Sequence, residues 1–130
     1  MNAYTAHIVA FIKFIDGEPQ QIFPVYENIV LIYALSDDEA WKEAERIGVK
    51  RYDGSSVERE GRAGTWTFGG VRRLVTWIVR NESLRDASLS VSMPNYGHGT
   101  EVTYLQFEFG SEQDFQAYMH GEPVNVLFEE

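Results

Sequence analysis

Asn28-Ile-Val-Leu-Ile-Tyr-Ala-Leu35, then Ser36-Asp-Asp-Glu39, then Ala40-Trp-Lys-Glu-Ala-Glu-Arg-Ile-Gly48 is the stretch that decides the fold class. Ile29, Val30, Leu31 and Ile32 are consecutive, apolar and mostly β-branched, which suits a strand covered on both faces. The run is too short for a helix and stops at Ser36. Ser36 predicts an N-cap, and Glu39, three residues on, completes a capping box. Asp37 and Asp38 place negative charge at the positive end of the helix dipole. Ala40, Trp41, Ala44 and Ile47 recur at helical spacing, so Trp41 and Ile47 are expected to be buried against the sheet. Gly48 is expected to end the helix. Lys42 and Arg46 are a like-charge i,i+4 pair, which leaves packing as the main support of this helix.

The 130 residues suit a single domain, 1–130, large enough for a real core. Hydrophobic content of 44% and charged content of 24% argue against disorder. Cysteine is absent, which rules out disulfides and cysteine metal sites and fits a reducing compartment. The apolar run Ile8 to Ile15 is too short to span a bilayer and lacks the flanks of a secretion signal, so the expectation is a cytoplasmic protein with no membrane partner.

Net charge is −9, which disfavours nucleic acid as a partner. The charge is segregated along the chain. Residues 1–41 carry one basic and six acidic side chains, residues 42–85 ten and six, and residues 86–130 none and eight. That pattern suggests a surface that meets a basic protein partner.

In chain order, Ala6 to Ile15 alternates with both faces largely apolar and reads as a central strand. Asp16-Gly17 marks a turn. Gln20 to Leu35 returns as strand, placed at an edge or bulged because Pro24 cannot donate to a ladder. Asp53 to Gly64 is polar and rich in turn formers, and reads as a mobile loop. Thr65 to Phe68 and Val71 to Arg80 read as strands flanking a turn or bulge at Gly69-Gly70. In the second, alternation puts Arg73 and Trp77 on one face and Arg72 and Leu74 on the other. Leu89 to Met93 could be a short strand, and Pro94 to Gly99 a turn cluster. Glu101 to Phe109 slips phase, which calls for a bulge near Tyr104. Ser111-Glu-Gln-Asp114 repeats the cap signature before a short helix that Gly121 closes. Val124, Val126 and Phe128 alternate as a last strand. The expected architecture is α+β: a single, mostly antiparallel sheet with two serine-capped helices packed on one face.

The first half resembles a bacterial family known only as a domain of unknown function, number 4288. The resemblance rests on Ala6-His7-Ile8-Val9, Glu27 through Ala34, Asp38 through Ala44, and Ile47-Gly48. Gly99 through Tyr104 and Gly121-Glu122-Pro123-Val124 are also similar. It implies no activity and assigns no functional residue.

No phosphate loop, nucleophile elbow or metal-ligand spacing is present, so neither catalytic residue, metal nor cofactor is assigned. His98, between Gly97 and Gly99, is the best placed histidine for a ligand. With Glu101 and Glu108 it could form an acid/base site. Trp66, Trp77 and Tyr104 are expected in the core. Arg72, Arg73, Trp77 and Arg80 give a faint nucleic-acid pattern against an adverse charge. The leading expectation is a non-enzymatic, immunity-like protein-binding module. Its candidate binding residues are Glu108, Glu112, Asp114, Glu122 and Glu129, with His98. The alternatives are a small-ligand binder or enzyme around His98 and a nucleic-acid-associated subunit. The sequence leaves a homo-oligomer open.

Overall fold

The computed structural model describes residues 1–77, 98–124 and 128–129. The possible strand Leu89–Met93, the strand end 78–80 and Val126 lie outside the described residues. Among those described, the elements are β1 (Asn2–Phe14), β2 (Phe23–Ala34), α1 (Asp37–Arg51), β3 (Asp53–Arg59), β4 (Arg62–Trp77), β5 (Glu101–Phe109), α2 (Glu112–Met119) and β6 (Phe128–Glu129). The strands form one antiparallel sheet in the order β3-β4-β1-β2-β5-β6. The α+β class therefore holds.

The two helices do not share a face. In the β1–β2 register, Tyr4, Ala6 and Ile8 stand opposite Ile32, Val30 and Asn28, while Val9 and Phe11 stand opposite Glu27 and Val25. The first set packs with Ala40, Ala44 and Ile47 of α1. Val9, Val25, Phe107 and Phe109 pack with Phe115 of α2. Strand alternation puts these sets on opposite sides, so each helix covers one. The physical reason is already present in β1, whose two faces are both apolar and both need a cover.

Several local expectations change. β2 is an interior strand, between β1 and β5. Pro24 is tolerated because it sits at the strand's start, opposite Glu108 of β5 and beyond the last β1 partner, at Val25. The polar stretch 53–64 is no loop. It is a hairpin of β3 and β4, turned at Glu60 and Gly61, both with positive φ (51° and 82°). Two successive positive φ values make the tight turn whose twist matches paired strands. β4 is one long strand with two irregularities against β1, between His7 and Ile8 and between Val9 and Ala10. The bulge sought near Tyr104 falls at Val102, where Ile29 pairs with Thr103 but Val30 with Glu101.

In α1, Ser36 Oγ accepts from the Glu39 amide at 3.2 Å, and Glu39 reaches back to the Leu35 amide at 3.3 Å. The buried stripe is Ala40, Ala44, Ile47 and Gly48. Trp41, expected in that stripe, is 39% exposed. Gly48 does not end the helix, which runs on to Arg51. A Cβ at Gly48 would lie 2.3 Å from Phe68 Cε1, so its role is to let the helix close on a ring of β4. The like-charge pair Lys42/Arg46 is relieved because Arg46 turns to Glu43. Trp77 (46%) and Tyr104 (52%) are exposed rather than in the core. Each still has a partner: Trp77 Nε1 donates to Thr5 Oγ1, and Tyr104 stacks on Tyr26.

Candidate functional site

His98 sits where β5 stops covering β2. The Leu31 amide donates to Thr100 O at 2.9 Å and the Gly99 amide to Leu31 O at 2.7 Å, tying residues 98–100 to the strand. The next free amide along this edge, Tyr33 N–H, donates to His98 Nδ1 at 3.1 Å. A nitrogen that accepts carries no proton, so the ring's proton is on Nε2. Nε2 then donates to Glu43 Oε1 at 3.0 Å. Glu43 also accepts from Arg46 Nε. Hydrogen bonds from Arg46 and then His98 hold the Glu43 carboxyl at about 2, well below its usual range.

This cluster walls an open groove of about 760 Å³, lined also by Met1, Tyr33, Leu35, Glu39 and Lys42. Both imidazole nitrogens are committed to neighbours, so the ring braces the groove and has no free position for proton transfer. The acid/base arrangement with Glu101 and Glu108 does not form. Glu101 accepts from Tyr26 OH at 3.1 Å and Asn28 Nδ2 at 2.8 Å. Glu108 is paired with Arg59. It stands opposite Pro24, nine residues along β2 from Tyr33, roughly 30 Å away at the rise of a strand.

The other expected acidic binding residues are dispersed. Glu108 is mostly buried and already neutralised by Arg59. Asp114 is half-buried in the first turn of α2, its amide donating to Ser111 Oγ at 3.1 Å. Glu112 and Glu122 are exposed. Glu129 lies in β6, and its side chain is outside what is described. The segregation seen along the chain is partly cancelled in space. Arg59 meets Glu108, and Arg62 makes a two-pronged pair with Asp16 at 2.6 and 3.0 Å. The Arg62 guanidinium holds the Asp16 carboxyl down at about 2.

A second cluster was not foreseen. Glu27 is 1% exposed, in the middle of β2 on the α2 face. It accepts from His7 Nδ1 at 2.6 Å and from Tyr118 OH. Burial alone would raise its carboxyl, but the hydrogen bonds from His7 and Tyr118, with the charges of His7 and Arg72, outweigh burial and lower it. Arg72 in turn donates from Nε to Tyr118 O at 2.8 Å and lies 4.0 Å from the Tyr118 ring centre. The signal in the sequence is a lone carboxylate inside an apolar strand. Such a group stays charged only with dedicated partners, and His7 in the neighbouring strand is the only titratable side chain near the middle of its run.

Among the described residues, no group of three or more His, Asp or Glu is arranged to hold a metal ion. No described helix is long and apolar enough to cross a membrane.

Residues 3–88 match the model of a domain of unknown function, DUF4288, and the chain belongs to that family. Neither a curated protein nor a solved structure matches it.

Proposed function

We propose that this member of the DUF4288 family is a non-enzymatic protein-binding module that meets a basic partner through the outward face of α1. The observation that carries the reading is Trp41, a large ring left 39% exposed on a helix whose opposite side is fully packed. Asp37 and Glu45 lie one turn before and after it, Asp38 three residues before, and all three are exposed. Leu35, just before the helix, is also exposed, at 67%. An aromatic anchor ringed by carboxylates is suited to a cationic protein surface, with the ring contributing affinity and the charges steering approach. The net charge of −9 works in the same direction. In this reading the protein is cytoplasmic and acts as an antagonist, as acidic immunity proteins mask basic toxin domains. The committed nitrogens of His98 weigh against the enzymatic alternative.

The test is capture from a host extract with wild type, Trp41→Ala and the double variant Asp38→Lys/Glu45→Lys. Trp41→Ala should cost under about 1 kcal/mol in denaturant unfolding, since the ring is half outside the core. Wild type should retain a basic protein that both variants lose, with association slowing as salt rises. Capture indifferent to all of these changes would refute the reading.

A further inference from the structure

Strand alternation would send Arg72 and Arg73 to opposite faces of the sheet. The irregularity in β4 prevents this. His7 pairs with Arg73 and Ile8 with Val71, which leaves Arg72 as an extra residue. A bulge of this kind re-aims side chains, and here both arginines line one pocket of about 350 Å³, with Met119, His120 and Gly121 at the end of α2. Two arginines and a histidine thus line one pocket in a chain of net charge −9.

The pocket is supported from below. Arg72 is fixed by the Tyr118 carbonyl and ring, Tyr118 OH is fixed by Glu27, and Glu27 by His7. A buried carboxylate is costly unless fully satisfied, and here it anchors the support that positions Arg72. Helix-end carbonyls would repel an anion, but those of Gln116, Ala117 and Tyr118 are occupied. The His120 amide donates to Gln116 O and Ala117 O, that of Gly121 to Tyr118 O, and that of Glu122 to Ala117 O. Arg73 makes no hydrogen bond or ion pair among the described residues.

We propose that Arg72, Arg73 and His120 bind a phosphate dianion, either inorganic phosphate or the phosphomonoester of a small molecule. The fork of Arg73, unengaged among the described residues, matches two phosphate oxygens. Two fixed positive charges balance a dianion, whereas a carboxylate would leave one unmatched. Glu27, the nearest buried carboxylate, is saturated by His7 and Tyr118 and does not compete. A single pocket on one element end differs from the extended array of phosphate contacts that nucleic acid requires.

The experiment is titration calorimetry of the full chain at constant ionic strength and near-neutral pH, with sodium phosphate, glycerol phosphate and acetate as probes. Phosphate or glycerol phosphate should bind saturably with Kd at or below about 1 mM. Tighter binding of glycerol phosphate assigns the monoester, and equal binding assigns the free ion. Arg73→Ala should weaken binding about tenfold or more, equivalent to about 1.4 kcal/mol, with its thermal midpoint unchanged. Arg73→Lys, which keeps the charge and loses the fork, should fall between. Lys42→Ala, on α1, should bind as wild type. Absence of saturable heat up to about 20 mM phosphate, equal binding of acetate, or wild-type affinity in Arg73→Ala overturns the proposal.

Discussion

α1 covers its face of the sheet with small side chains along a 15-residue helix, whereas α2 covers the other with rings along only eight residues. On the α1 side, Ala40 and Ala44 pack with Ala6, Ile8, Val30 and Ile32, and Gly48 lets the helix backbone close on the Phe68 ring. On the α2 side, Phe115 sits among Phe11, Phe23 and Phe109 at centroid separations of 5.0 to 6.5 Å. The same cap signature, a serine whose hydroxyl accepts from an acidic residue's amide three positions on, starts both helices. The lesson is that a cap fixes where a helix begins and says nothing of where it docks. Docking follows the faces of the strands beside it. A long helix can gain its stability from many small close contacts, while a helix of two turns needs a few large ones.

The difference can be broken most sharply at Phe115. Because one buried ring carries most of the α2 packing, Phe115→Ala should cost about 3–5 kcal/mol, measured by denaturant unfolding, with the transition still cooperative. A loss under about 1 kcal/mol would show that α2 is held by something other than its rings. The matching probe of α1 is Gly48→Ala. The added Cβ would lie 2.3 to 2.9 Å from three atoms of the Phe68 ring. Overpacking costs about 1–3 kcal/mol, offset by roughly 1 kcal/mol of helix propensity, so a net loss of about 1–2 kcal/mol is expected. A stabilised variant would mean the ring moves aside freely.

The smallest effect is confined to acid and sharpens the contrast in polarity. The α2 side contains the buried carboxylate Glu27, with its pKa lowered from 4.5 in the folded state. A group depressed on folding contributes stability above its unfolded pKa and loses it as pH falls through the folded one. Wild type should therefore lose stability as pH drops below the ordinary carboxylate range. In Glu27→Gln that part of the decline should be flatter. Parallel pH profiles for the two proteins would show that Glu27 is not ionised in the fold.

Much of the sheet was legible because its signals are local. The two-sided apolar alternation of β1, the β-branched run of β2 and both serine caps each depend on a few adjacent residues. What was illegible depends on distant neighbours. Trp41 and Gly48 both fall on or beside the apolar stripe, and only the position of Phe68 in β4 decides that the stripe runs through the glycine. The hairpin at 53–68 escaped because Glu60-Gly61 lacks the Asn-Gly form of such turns and β3, at the sheet edge, has no apolar alternation. At the candidate sites, His98 was found by its glycines, but its role depends on an amide at Tyr33. Glu27, Tyr118 and Arg72 come from three separate stretches. The bulge that brings Arg72 beside Arg73 has no mark in the sequence beyond the glycine pair preceding it.

The cap on Tyr33 also bears on self-association. The run from Ile29 to Ala34 is β-branched, apolar and uncharged, the composition of a segment that stacks into cross-β fibrils once its backbone is available. Beyond Leu31 the strand has no partner on the β5 side among the described residues, and its amides at Tyr33 and Leu35 are taken by an imidazole and a carboxylate instead. Those two side chains do there what another strand would do, and so deny that edge to a second molecule.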